Sequence, residues 1–97
     1  MTPLEKDIER YLVRLVKTHG GYCLKWVCPG WSGVPDRIVL LPGGRVIFIE
    51  MKRPGGVEAP LQKVWRENLT RLGFTALTLW SHEAVKEFER NYLNEKS

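Results

Sequence analysis

Gly33-Val34-Pro35-Asp36, followed by Arg37-Ile38-Val39-Leu40-Leu41, Pro42-Gly43-Gly44 and Arg45-Val46-Ile47-Phe48-Ile49-Glu50-Met51-Lys52, sets the architecture. Val34 before Pro35 favours extended backbone and Pro35 fixes its own φ, so Asp36 begins a strand that runs to Leu41. Pro42-Gly43-Gly44 reads as a turn. Arg45 to Lys52, rich in Val, Ile and Phe, reads as a second strand. The two form an antiparallel hairpin. With Pro42, Gly43 and Gly44 as the loop, Leu41 faces Arg45, and stepping outward sets Asp36 opposite Glu50. Residues directly opposed in this way share a face, with Cβ atoms about 4.5–5.5 Å apart. Two carboxylates that close repel unless a cation lies between them, and their oxygens suit a hard ion such as Mg²⁺. Glu50 and Lys52, two apart on one strand, also share a face. A loop of another length, or a bulge, would shift the register and undo this grouping. Charges on a hairpin are usually solvated surface. Here, however, a nearly continuous apolar run leads into Glu50, as in strands buried on both faces, so the charges stand at the border of a core.

Pro35-Asp36 followed by Glu50-Met51-Lys52 resembles the PD-(D/E)XK nuclease superfamily. The fuller pattern is Gly33-Val34-Pro35-Asp36-Arg37, Phe48-Ile49-Glu50-Met51-Lys52-Arg53-Pro54-Gly55 and then Gln62. It is similar to the virus-type replication-repair nuclease (VRR-NUC) family, and the likeness covers nearly the whole chain.

Ninety-seven residues make one small domain with one core. A hydrophobic content of 43% with 27% charged residues is ordinary for a globular chain. No stretch is apolar for the length of a membrane span, and no signal peptide is apparent. The net charge of +4 and a pI near 9.3 suit a polyanionic partner without requiring one. Cys23 and Cys28 read as a pair of cytosolic thiols. A zinc site built from them with His19 or His82 lacks the paired histidine spacing such sites use.

Thr2 to Lys17 reads as a helix, with Thr2 as cap, Pro3 in the first turn and Glu5 closing a Thr-x-x-Glu box. Leu4, Ile8, Tyr11, Leu12, Leu15 and Val16 form its apolar face. At about 100° per residue Glu5 falls inside that arc, so its carboxylate must reach the sheet border or a partner. Lys6, Arg10, Arg14 and Lys17 form the opposite stripe, either solvated surface or a phosphate contact. Tyr22 to Val27 reads as a strand, and Cys28 to Gly33 as a loop carrying Trp31 and Ser32. Trp31 either folds onto the core or stacks on a base or wedges into a junction. Arg53 to Pro60 is a turn-rich loop. A helix from about Leu61 to Leu72 buries Leu61, Val64, Trp65, Leu69 and Leu72, and carries Gln62 in its first turn. Phe74 to Trp80 is a fourth strand, and Ser81 caps a last helix, His82 to Tyr92, before a frayed tail from Asn94 to Ser97.

The resulting order, α-β-β-β-α-β-α, predicts an α/β (α+β) domain: a four-stranded mixed sheet flanked by helices. The resemblance adds that this domain, residues 1–97, is restriction-endonuclease-like. It further implies a Mg²⁺- or Mn²⁺-dependent DNA endonuclease. Glu5, Asp36, Glu50 and the Met51 carbonyl would hold metal, Asp36, Glu50 and Lys52 would carry catalysis, and Gln62 would assist. Candidate DNA contacts are Arg10, Arg14, Lys25, Trp31, Ser32 and Arg53. Family members often cleave branched DNA in repair or recombination, and small ones resolve four-way junctions as dimers. The expectation is therefore a homodimer acting on branched DNA in a bacterial or phage-infected cytoplasm, without membrane or small-molecule cofactor. Two alternatives stand beside it: a DNA-binding module with an idle site, and a nuclease for flaps or linear DNA within a replication or repair complex.

Overall fold

The computed structural model of the protein describes residues 3–94, so the Thr2 cap and residues 95–97 of the tail lie outside the described residues. The elements are α1 (Pro3–Thr18), β1 (Tyr22–Lys25), β2 (Arg37–Leu41), β3 (Arg45–Met51), α2 (Pro60–Arg71), β4 (Thr75–Leu79) and α3 (His82–Phe88). A π-helical turn, Glu89–Leu93, continues α3. The sheet order is β1-β2-β3-β4, with β1-β2 and β2-β3 antiparallel and β3-β4 parallel across the α2 crossover.

The hairpin has the register that its loop dictates: Leu41 pairs with Arg45 and Arg37 with Ile49. Gly43 and Gly44 both take positive φ, 84° and 74°, which makes the turn tight enough for that pairing. Asp36 lies one residue before β2, and its carbonyl accepts the Trp26 N–H at 2.8 Å.

One face of the sheet presents Cys23, Val39, Leu41, Ile47, Ile49, Met51 and Leu79 to α1 and α3. Ile8, Leu12 and Val16 of α1 are fully buried there, together with Val85 and Phe88 of α3. The helical spacing in α1 thus reflects the face that meets the sheet. The chain turns from α1 into β1 at Gly20-Gly21, where a side-chain carbon on Gly21 would meet the Leu40 carbonyl oxygen at 2.5 Å. On the other face Phe48 packs between Trp26 and Phe74, at ring-centroid distances of 4.9 and 5.4 Å.

The structure departs from the sequence reading at several element ends, strands β2, β3 and β4 each being shorter by one or two residues, and in the burial of α2. Strand β1 ends at Lys25 instead of Val27. The last helix changes to π-helical hydrogen bonding at Glu89, and Leu93 is buried beside Phe88. In α2 only Leu69 of the expected apolar face is buried, while Leu61 and Val64 are about half exposed and Leu72, at its C-cap, more so. The α2 helix packs on β4, the edge strand, which leaves much of its apolar stripe uncovered. Ser81 caps α3 as expected, accepting the Ala84 N–H at 3.1 Å.

Candidate metal and nuclease site

Side chains alternate along β3, so Ile47, Ile49 and Met51 face α1 while Phe48, Glu50 and Lys52 face α2. The hairpin register brings Asp36 to the end of this second row. Its Oδ2 accepts the Met51 N–H at 3.1 Å, which ties the Asp36 side chain across the end of β3. Glu50 is 5% exposed, and Lys52 holds its Nζ 3.6 Å from Glu50 Oε2. The Lys52 backbone N–H donates to Leu79 O at 3.0 Å, which fixes where the side chain departs. Met51 has its side chain in the core, leaving only its backbone for the site.

Gln62 reaches the same carboxylate from α2. Its Oε1 accepts the Ala59 N–H at 2.8 Å, so its amide N–H is turned toward Glu50 Oε2, to which it donates. The preceding loop is anchored by Glu58, whose carboxylate accepts two bonds from Arg66 and one from Thr78. Arg66 accordingly holds the Glu58 carboxyl below the usual range.

The electrostatics follow from burial. Desolvation, then the charge of Asp36, push Glu50 up to about 7 against the pull of Lys52. Asp36 is also raised, chiefly by burial, with the Met51 N–H opposing the shift. Glu50 Oε1 is buried without a hydrogen-bond partner. A buried carboxylate oxygen left bare beside a second carboxylate is suited to a hard divalent cation. Among the described residues no three His, Cys, Asp or Glu side chains converge as a ligand set. That still fits Mg²⁺, which is commonly held by one or two carboxylates, with waters and substrate phosphate completing the shell.

Two acids of α1, Glu5 and Glu9, differ in their surroundings. Glu9 is 7% exposed and accepts a bond from Arg37 Nε at 2.9 Å, while Arg37 also donates to Cys23 O. Its charge is one of those that raise Asp36. Glu5 lies one turn earlier, with Oε1 4.0 Å from Arg53 Nε. Sequence reading favoured Glu5 and gave no part to Arg37. The Arg37–Glu9 pair had no sequence signal, because tertiary packing sets where Arg37 turns. Under this pair Cys23 is buried, and desolvation pushes its thiol up to about 11; Cys23 and Cys28 are both free thiols.

Arg10 and Arg14 are exposed and line, with Glu9, Val13 and Arg37, a shallow hollow of about 370 Å³. Lys25 and Asp36 line another of about 240 Å³ with Glu9, Trp26 and Val27. Arg53 is half exposed beside Glu5. Trp31 and Ser32 are exposed on the loop before Gly33. No described helix is long and apolar enough to cross a membrane.

No family model matches the chain. A protein of Acyrthosiphon pisum secondary endosymbiont phage 1, named "Putative nuclease p44", is 43% identical over 79 residues, covering 81% of this chain and 85% of that protein. A solved structure of a VRR_NUC domain aligns with a TM-score of 0.85 over 94% of this chain and 99% of that one, at 24% identity, a likeness of fold. The phage relative carries the kinship that the fold alone would not: the chain belongs to the family of that putative nuclease, and its fold is that of a VRR_NUC domain.

Proposed function

We propose that the protein is a divalent-metal-dependent DNA endonuclease that hydrolyses phosphodiester bonds in branched DNA, four-way junctions included, as a homodimer. The observation that carries this reading is the grouping of Asp36, Glu50 and Lys52 with the bare buried oxygen of Glu50. Asp36 and Glu50 would hold Mg²⁺ or Mn²⁺, with the Met51 carbonyl as a further ligand. The bound ion supplies Lewis acidity and a water of lowered pKa. Lys52 sets its ammonium beside Glu50, where it offsets negative charge that grows on the scissile phosphate. Gln62 fixes the rotamer of Glu50 through its amide.

Glu5 is the metal ligand implied by family resemblance, whereas burial and coupling to Asp36 favour Glu9 as the α1 acid. Glu9→Gln is expected to lower cleavage or metal affinity about 10–100-fold, the usual scale for a group supporting a metal site. Glu5→Gln is expected to change either by less than about threefold. Cleavage assays at varied Mn²⁺ concentration check both, and the reverse order returns the role to Glu5.

Arg10, Arg14, Lys25 and Arg53 would bind phosphates around this centre. Such contacts read no bases, so selectivity should follow DNA shape and binding should weaken steeply with salt. Two-fold symmetry would supply two centres for two strands. In competition binding at moderate salt, a four-way junction is expected to displace linear duplex of the same sequence, and sedimentation is expected to show a dimer. A monomer that binds junction and duplex alike removes the junction-resolving form of the proposal.

A further inference from the structure

The loop between β1 and β2 displays an aromatic ring that the core does not use. Trp31 is 64% exposed, an unusual cost for so large an apolar side chain. It meets Trp65 of α2 in a T-shaped contact, with centroids 5.7 Å apart at 84°, which covers at most one face of the Trp31 ring. The loop beneath it is held rather than loose. The Trp31 N–H donates to Cys28 O at 3.1 Å, and Trp65 Nε1 donates to Ser32 O at 3.0 Å. Gly33, at φ 84°, packs so closely on Leu61 that a side-chain carbon there would lie 2.6 Å from Leu61 Cβ. Leu61 immediately precedes Gln62, whose amide bonds Glu50. One helix start thus supports both the exposed ring and the buried carboxylate.

We propose that Trp31 is a stacking platform for an unpaired nucleobase at the branch of the DNA substrate, a role that rests on the nuclease reading above. A rigidly presented π-face binds any base without reading its edge, which suits recognition by structure rather than sequence. The chain's net charge of +4 suits a polyanionic occupant. The phosphate contacts of Arg10, Arg14 and Lys25 follow the shape of the DNA, and Trp31 adds a contact that only an unpaired base can meet.

The test compares wild type, Trp31→Ala and Trp31→Phe in EDTA, which prevents cleavage. Binding is measured to a linear duplex and to a branched DNA of the same sequence with unpaired nucleotides at the branch. Trp31→Ala is expected to lose about tenfold or more in affinity for the branched DNA and less than about twofold for the duplex, with Trp31→Phe retaining most of the preference. In wild type, 5-iodouracil placed at the unpaired position is expected to photocrosslink to the peptide containing Trp31, a readout independent of any variant's folding. Unchanged binding to both DNAs, an equal loss on both, loss of the dimer in Trp31→Ala, or a crosslink mapped elsewhere overturns the proposal. If wild type cleaves DNA while Trp31→Ala keeps the branch preference, only the stacking role fails. If wild type binds neither DNA, the nuclease reading fails with it.

Discussion

Replacing Lys52 by alanine is expected to lower phosphodiester cleavage at least about a hundredfold while leaving DNA binding and the fold in place, the usual scale for one preorganised charge or proton-transfer group. The fold survives because Lys52 is tied to β4 by its backbone N–H, which alanine keeps. Binding survives because the phosphate contacts come from other cations. What disappears is the ammonium 3.6 Å from Glu50 Oε2. That ammonium also lowers the pKa of Glu50, so without it the metal-free Glu50 holds its proton to higher pH. Lys52→Arg keeps the charge but not the compact ammonium, and is expected to recover only part of the rate. Single-turnover cleavage at saturating protein, alongside binding in EDTA, separates the two effects. Near-normal turnover by Lys52→Ala would mean that the charge developing on the phosphate is met elsewhere.

The second large effect concerns the metal-free protein. Glu50 is raised from 4.5 to about 7 by burial and by Asp36, so the folded state keeps a proton that the unfolded chain has released. Folding stability is therefore full below about pH 4.5 and declines as the pH rises through 7, by on the order of 3 kcal/mol from this group. Asp36 is raised as well and adds in the same direction. Thermal melts in EDTA are expected to show this fall between pH 5 and pH 8. Glu50→Gln removes the buried charge and should raise the melting temperature at pH 8 by about 5–10 °C, flattening the pH dependence. Mn²⁺ should stabilise wild type at pH 8, have little effect at pH 5, and do little for Glu50→Gln. A melting temperature that is flat from pH 5 to pH 8 in EDTA would mean that Glu50 is better solvated or better paired than its burial indicates.

Much of this was legible in the sequence because the turn leaves little freedom. Pro42-Gly43-Gly44 fixes the loop length, the loop length fixes the register, and the register carries Asp36 toward Glu50 and Met51. The face of α1 was legible for a similar reason, since Ile8, Leu12 and Val16 repeat at the spacing of a helix lying on a sheet. Which α1 acid pairs with Arg37 was not legible. Glu5 and Glu9 both lie near the edge of that face, and only tertiary packing shows that Arg37 turns toward α1 and meets Glu9. The exposed side of α2 was hidden too. Periodicity reports where apolar residues lie, not how far the sheet beneath extends, so Leu61 and Val64 read as core although each is about half exposed. Trp31 belongs to the same class: its residue type suggested burial, yet it is exposed and meets Trp65 edge to face.

The most direct measurement is cleavage of an end-labelled four-way junction by purified wild type and Asp36→Asn, each with Mg²⁺, Mn²⁺ or EDTA. Asp36 is the carboxylate tied across the end of β3, and its neutral analogue keeps a carbonyl acceptor for the Met51 N–H. The predicted result is cleavage by wild type with either metal, none in EDTA, and none by Asp36→Asn under any condition although it remains folded and binds the junction. Cleavage that persists in EDTA, or that Asp36→Asn performs at the wild-type rate, would contradict a metal-dependent centre built on Asp36, Glu50 and Lys52.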